Sequence, residues 1–543
     1  MTTRVSVVVA GLVVVVAGAC KDPLTAKNFN NPDVIRVFQQ PAAIEQTLGS
    51  GYQQCRNTEK DNNLNAQLAV MSGESYSALN NFNMGPRDGI PRAPVLNNKT
   101  SSQSLGGVFS AWSRQGRLQA NALKQLDALR EANGIALGTN AADLRARSLG
   151  FFNMACNLGW LSLTFDSAGI IDHVMPSDSV PPLSGYDQVN AAALALLDSA
   201  IAMASTAGSD GAGGFPTSAS WFGGSSLGKS DFIKLARSLK ARFRADVARN
   251  KAERAAVNWA AVAADAEAGI SEDFMVDIGG TTGWNIGLQS SQFHVEAAWA
   301  QLTMMYNGFT DTGNGYSNWL ATPILSRNGD FAVVTPDKRW PQGGTLAAQR
   351  LASPEPKNHT DFPYIQTRGN WSPADPWGES WYSHHRYKYI RNNSSQGPYP
   401  DFLKAEVDLL AAEAYLRLGD MSKALTKINP SRTGAGLPAL AGATSLNDIV
   451  PGPNCIPRVP TGPSFTTVAC GSIFEAYKYE WRMELAYNRA GAWFFASRGW
   501  EDLVIGTPLY YPVPVAELDA RLLPYYNIGG GGPGSAPSGT YKF

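Results

Sequence analysis

Over much of the first half of the chain, apolar residues recur every three or four positions. That spacing places them on one face of a helix. Leu149, Phe152, Cys156, Trp160 and Leu163 make one such stripe. Phe232, Ala236, Leu239, Phe243 and Val247 make another, with Lys234, Arg237, Lys240 and Arg244 expected to turn outward. Trp259 to Gly269 is alanine-rich and stops at a glycine, a common helix end. Helix is therefore predicted over most of about 41–278. From about 279 to 400 the period fades, and Gly, Pro, Asn and Trp dominate. Helical spacing returns from Phe402, through Leu403, Val407, Leu410, Ala414 and Leu418, and closes at Gly419-Asp420. A short helix through Ala424 and Ile428 is predicted next, then a long one from about Ser472 to Arg498. The Gly-rich tail from Ile528 reads as ordered loop or frayed end.

The N-terminal pattern is different. Arg4 precedes an apolar run from Val5 to Val16, then Ala17-Gly18-Ala19 and Cys20. A charged start, a short apolar stretch and small residues at the cut site mark a secretory signal peptide. The run is shorter than the roughly 20 residues a membrane-spanning helix needs. Cysteine directly after the small residues resembles the lipobox of bacterial lipoproteins, although Leu or Val is commoner where Ala17 stands. The resemblance implies lipidation at Cys20, with 1–19 removed and 20–543 forming the mature body. The plainer reading is an ordinary cleaved signal followed by a chance cysteine. Buried acyl chains hold a protein to a membrane by about 0.8 kcal/mol per CH2. No later apolar run is long enough to cross a bilayer, so a soluble body is expected.

Composition narrows the partners. The 543 residues carry 45 basic and 45 acidic side chains, a balance that argues against nucleic acid as the main partner. Charged residues are only 17%, while 53 Gly and 33 Pro point to long loops around a folded scaffold. Without Cys20, four cysteines remain, and an exported protein permits disulfides. Cys455 and Cys470 flank a Pro/Gly-rich loop and form the expected pair. Cys156 sits on an apolar helix face and reads as a buried thiol; pairing with Cys55 is the alternative.

The two helices around Gly419-Asp420 look like a tetratricopeptide unit, with small residues where paired helices approach closely. One such unit cannot bury its own apolar face, so other helices should stack on it. At this point the chain resembles the RagB/SusD family of bacterial outer-membrane nutrient-uptake lipoproteins. The match runs through Leu24-Thr25, Asn31-Pro32, Phe109–Leu129 with Trp112 and Asn121, and Arg145–Leu163 followed by Phe165 and Gly169. It continues through Asp231–Arg249, where Arg237 replaces the usual Asn, and is closest at Phe402–Leu437. Glu480–Trp500 resembles the family ending but has Trp481 for the usual Arg, and Ala492 near another. Pro512-Val513-Pro514 and Asn527 echo the close. The resemblance implies a mostly α, SusD-like fold with tetratricopeptide-like helix pairs and a long-loop ligand-binding region. In one SusD-like domain, about 41–278 and 402–500 would form the scaffold, and about 279–400 the ligand surface. It further implies a place on the outer membrane over a TonB-dependent, SusC-like transporter. It does not imply catalysis.

Several motifs have blander readings. Gly223 to Ser230 fits the Walker A pattern, but a P-loop needs a buried strand before it. Thr217 to Phe222 is polar and short, and Ser230 reads as a helix N-cap. His384 and His385 are adjacent and on a strand would point to opposite faces, unable to share one ion. Asp311 to Gly315 is too short for an EF-hand and reads as a turn. No cofactor is expected; loop carbonyls leave room for a structural Ca2+. Glu379, Asp361 and Asp375 show no glycosidase pattern.

Aromatics carry more. Seven of 14 Trp (284, 299, 319, 340, 371, 377 and 381) fall within about 281–390, roughly a fifth of the chain. An indole face receives the axial C–H groups of a sugar ring, and nearby polar groups bond its hydroxyls. The alternative is that these rings pack the loops onto the helices. Candidate ligand contacts are Trp284, Trp319, Trp371, Trp377, Trp381, Tyr382 and Arg386, with Tyr76, Asn81 and Phe82 as a second group. Trp493, Phe494, Phe495, Trp500, Tyr477 and Tyr487 read as core. The expected function is capture of nutrient, oligosaccharide before peptide, and delivery to the transporter. A secreted glycoside hydrolase and a tetratricopeptide adaptor binding proteins or peptides are the alternatives.

Overall fold

The computed structural model describes residues 40–543 except 78–80, 91, 178, 207–213, 280–281, 286–299, 324–325, 328–330, 354–359 and 366–379. The signal segment and Cys20 lie outside the described residues, as do Trp299, Trp371 and Trp377.

The fold is mostly α. Its longer helices are α1 (Pro41–Gly49), α2 (Gly51–Glu59), α3 (Asn62–Met71), α4 (Gly106–Asn133), α5 (Asn140–Thr164), α6 (Tyr186–Thr206) and α7 (Lys229–Asp246). Then come α8 (Lys251–Ala256), α9 (Trp259–Glu267), α10 (Lys404–Leu418), α11 (Met421–Gly434), α12 (Ile473–Leu485) and α13 (Ala492–Trp500). Four two-stranded antiparallel sheets are present among the described residues. β1 (Val95–Asn97) pairs with a strand at Asn527–Gly529, and β2 (Ser167–Gly169) with β3 (Leu183–Gly185). β4 (Phe274–Ile278) pairs with β5 (Gly397–Phe402), and β6 (Arg458–Thr461) with β7 (Thr467–Cys470). The strand at Asn527–Gly529 is β8.

Helix α5 is the axis of the first half. Thr139 caps it by accepting a hydrogen bond from the Ala142 N–H at 3.1 Å. From Ser148 to Thr164 every residue is buried, because α2, α4, α6 and α7 surround it. Gly159 is the close approach: a Cβ there would lie 2.2 Å from the Phe243 ring of α7. A mid-helix glycine costs about 1 kcal/mol, which this packing offsets. Helix α6 is long and apolar enough to cross a membrane by length and composition. Its buried residues Val189, Ala193, Leu197, Ala200, Ile201 and Ala204 share one face, which packs on α5 and α7.

The pair α10–α11 forms as its sequence predicts. Gly419 ends α10 in the left-handed region at φ 79, and Asp420 caps α11 through the Lys423 N–H. Helices α9 and α12 pack on α10, so the pair does not stand alone. Both cysteine pairs are disulfides: Cys455–Cys470 as expected, and Cys55–Cys156, whose Cα atoms are 6.4 Å apart. The free-thiol reading of Cys156 is therefore corrected.

Three local expectations change. The predicted helix from Ser472 to Arg498 is two helices, broken between Ala486 and Gly491. Tyr487 has φ 56 there, and its N–H donates to the Glu74 carboxylate at 2.7 Å. Helix α7 starts at Lys229 after Gly228, so Ser230 lies inside it rather than capping it. Lys240 is buried, not outward, because its ammonium pairs with Asp198 and, at 3.7 Å, with Asp265.

Between the two halves runs a chain of buried charges. Arg242 of α7 bonds Glu406 of α10 at 2.8 and 2.7 Å. Glu406 also accepts from Arg489 at 2.9 Å, and Arg489 reaches Asp246 at 2.6 Å. Arg254 of α8 lies 3.4 Å from Asp246 and 2.6 Å from Glu413. Every charge in this chain has an opposite partner, which burial requires. The chain fixes α7, α8 and α10 against the break between α12 and α13.

Candidate functional site

The aromatic candidates separate by burial. Trp284 is 2% exposed, its ring 6.1 Å from that of Tyr52 and beneath the Arg56 guanidinium. Trp319 is 6% exposed, stacked on Tyr316 and covered by Arg327 at 4.6 Å. Tyr382 is fully buried; its hydroxyl donates to Gln349 and accepts from the Val333 N–H at 2.9 Å. Trp340 is buried against Phe362 at 4.7 Å. These residues do not form an open platform, which corrects the expectation for Trp284, Trp319 and Tyr382. The physical reason is that a segment with little regular structure buries its largest rings to make its own core. Trp381 is only half-buried, stacked on Tyr364 with an interplanar angle of 16°. It borders the undescribed stretch that holds Trp371 and Trp377.

The second group is mixed. Tyr76 is half-buried and joined to Gln301 by two backbone hydrogen bonds of 2.8 and 3.0 Å. Asn81 is exposed. Phe82, with φ 54, is turned onto a small apolar cluster of Ala66, Val70, Met84 and Ala300. Just before them, Glu74 is buried. Burial raises its carboxyl to about 8, and the bond from the Tyr487 N–H only moderates that rise. The folded state thus holds a proton that the unfolded state releases near 4.5. Stability should therefore fall as pH rises from about 4.5 to about 8 and level off above. Glu74→Gln should flatten that part of a urea-unfolding pH series; an unchanged slope would refute the assignment.

Arg386 lies where a cavity opens. The cavity has a volume of about 540 Å3, within the range of small-ligand sites. Its walls include Arg339, Asp361, Arg386, Tyr389, Ser431 and Glu484, with Asp273 and Met275 from the β4 edge. Arg386 grips Asp361 at 2.6 and 3.0 Å and donates to the backbone oxygens of Met483 and Glu484. Burial works against its charge, but Asp361 and Glu484 hold it protonated, above the ordinary arginine value. Arg339 bonds Glu484 at 2.8 Å, and Ser431 donates to the same carboxylate at 2.8 Å. The Tyr389 ring is 46% exposed, with its hydroxyl fixed on the Pro398 carbonyl at 2.8 Å. An open ring beside fixed guanidinium, carboxylate and hydroxyl groups is the mixed surface a polyhydroxylated ligand needs. Of the predicted contacts among the described residues, Arg386 lines this cavity.

Two motifs lose their chemistry here. The Gly223–Ser230 stretch follows a 3-10 turn rather than a strand, and the Gly223 carbonyl accepts from the Asp277 N–H at 2.6 Å. A Cβ on Gly224 would meet the Asp277 carboxylate at 2.6 Å, so an acid lies against this loop and would repel a phosphate. Asp311 makes the predicted turn, accepting from the Gly313, Tyr316 and Val334 N–H groups at 2.8–3.1 Å. No group of three His, Cys, Asp or Glu side chains suited to a metal is found among the described residues.

Neither a family model nor a curated protein sequence matches the chain. Solved structures do match. A SusD superfamily protein from Bacteroides vulgatus superposes with TM-score 0.55 over 90% of this chain and 99% of the other, at 14% identity. This chain has the SusD-like fold. Surface glycan-binding protein A from Bacteroides uniformis matches with TM-score 0.53 at 15% identity, over 89% of this chain and 99% of its own. A SusD-like protein from Bacteroides fragilis gives TM-score 0.53 at 13% identity, over 90% and 97%. Within the SusD-like fold, the α10–α11 pair and its neighbours form one wall of the cavity, through Pro430, Ser431 and Ala435. Arg339, Asp361, Arg386, Tyr387 and Tyr389 also line the cavity.

Proposed function

We propose that the chain is a divergent RagB/SusD-family lipoprotein. It is anchored through Cys20 in the outer membrane, captures oligosaccharide at the surface, and passes it to a TonB-dependent, SusC-like transporter. The observation that carries this reading is the SusD-like fold, shared along nearly the whole chain with a surface glycan-binding protein. The lipobox-like Cys20 and the ring-bearing polar cavity support it. Binding without chemistry fits the cavity's acids: Asp361 and Glu484 are both committed as acceptors to guanidinium groups, which leaves Asp273 without a second carboxyl to work with. A hydrolase needs one carboxyl free to deliver a proton.

A glycan and peptide array probed with the full chain in detergent tests the ligand class. Binding to glycans alone is expected; binding to peptides alone would overturn the reading. Tyr389→Ala should weaken glycan binding by about two- to twelvefold, as a ring contact of roughly 0.5–1.5 kcal/mol predicts. Unchanged affinity would move the site elsewhere. Affinity capture from outer membranes should bring down a large β-barrel protein.

A further inference from the structure

The cavity at Arg386 has a neighbour. A second hollow of about 440 Å3 lies among Leu227, Lys234, Ser271 and Glu272. Asp273 and Met275 line both. The two hollows are therefore adjacent, separated by a saddle of one carboxylate and one thioether. That saddle is held in place. The Asp273 carboxylate accepts from the Lys404 N–H at 2.8 Å, and the Met275 carbonyl from the Ser225 hydroxyl at 2.9 Å. The β4–β5 register shifts between Phe274 and Met275, and such a bulge re-aims side chains at a strand edge. Met275 remains 37% exposed, offering an unbranched apolar surface between the two hollows.

The hollows differ in charge. Arg339 and Arg386 face Asp361, Glu484 and Asp273 in the first. The second has Asp231, Glu272 and Asp273 against Lys234 alone, and Lys234 is already 3.2 Å from Asp231. Carboxylates accept hydrogen bonds and repel anions. The second hollow thus suits the hydroxyl protons of a neutral sugar and opposes a uronic or sulfated one.

We propose that the two hollows are subsites of one trough, in which a neutral, unbranched oligosaccharide crosses Met275 and fills both ends. The inference rests on the glycan-capture reading and extends it to ligand length and charge. Either hollow alone is of small-ligand size, so a short sugar needs only the first and a longer one gains the second.

The test uses titration calorimetry on the full chain in detergent. The probes are the di- and hexasaccharides of the cello-, xylo-, laminari-, malto- and manno-series. Where a series binds, the hexasaccharide is expected to bind at least about tenfold tighter than the disaccharide. Ser271→Trp, at an exposed position, plugs the second hollow and should erase that gain while leaving the disaccharide unchanged. Glu272→Ala should reduce the gain, and serves alone if the bulkier variant fails to melt like the parent. Equal binding of both lengths, or a gain that survives these variants, would sink the trough and spare the glycan reading. Failure of every series to bind would sink both.

Discussion

Glu413→Ala is expected to lower the stability of the fold by about 3–5 kcal/mol, the usual penalty for stranding a buried charge. Its carboxylate accepts from Arg254 at 2.6 and 3.1 Å, Arg417 at 3.1 Å, the Tyr477 hydroxyl at 2.9 Å and the Trp500 indole at 3.1 Å. Both Glu413 and Arg254 are fully buried. Burial alone would push the Glu413 carboxyl up, but Arg254 and Arg417 overcome it and hold it down at about 2. The sign is opposite to that of Glu74. The contribution is complete above the unfolded value near 4.5 and is lost as pH falls toward 2. Urea unfolding followed by tryptophan fluorescence should show the loss at pH 7 and a smaller one at pH 3. A loss under about 1 kcal/mol at neutral pH would show that the network is dispensable.

Removing the Cys55–Cys156 disulfide is the second large effect. It closes a loop of 101 residues, against 15 for Cys455–Cys470. In the chain-entropy account these loops are worth about 4.7 and about 3 kcal/mol. The Cys55→Ala/Cys156→Ala pair should therefore unfold at lower urea than the Cys455→Ala/Cys470→Ala pair. Both Cys55 and Cys156 are buried, joining α2 to α5, so the cut also loosens the core. The reverse order of midpoints would contradict this ranking.

The partners of both effects are distant in sequence, while the helices that carry them are not all equally legible. Gly419 and the stripe from Leu403 to Leu418 announce their helix pair, because local spacing and a left-handed glycine are enough. The break after Leu485 has no such local signal. It exists because Tyr487 must meet Glu74, a partner 413 residues away. Counting Trp between 281 and 390 located a ring-rich segment but not which rings face out. Trp284 and Trp319 are drawn inward by Arg56 and Arg327, while Tyr389 and Met275, which open onto the cavity, stand in unremarkable sequence. Arg386 was legible because it sits beside the aromatic cluster. Ser431 and Glu484 could be joined to it only by the packing of α11 and α12.

The pairing of β1 with β8 has a consequence for folding. Val95 lies opposite Gly529, so the edge of an early segment waits for residues more than 400 positions later. A chain made N-terminus first must hold that edge open until nearly all of it has been made. Chaperone demand should therefore peak late in synthesis, and fragments ending before residue 527 should be degraded rather than accumulate.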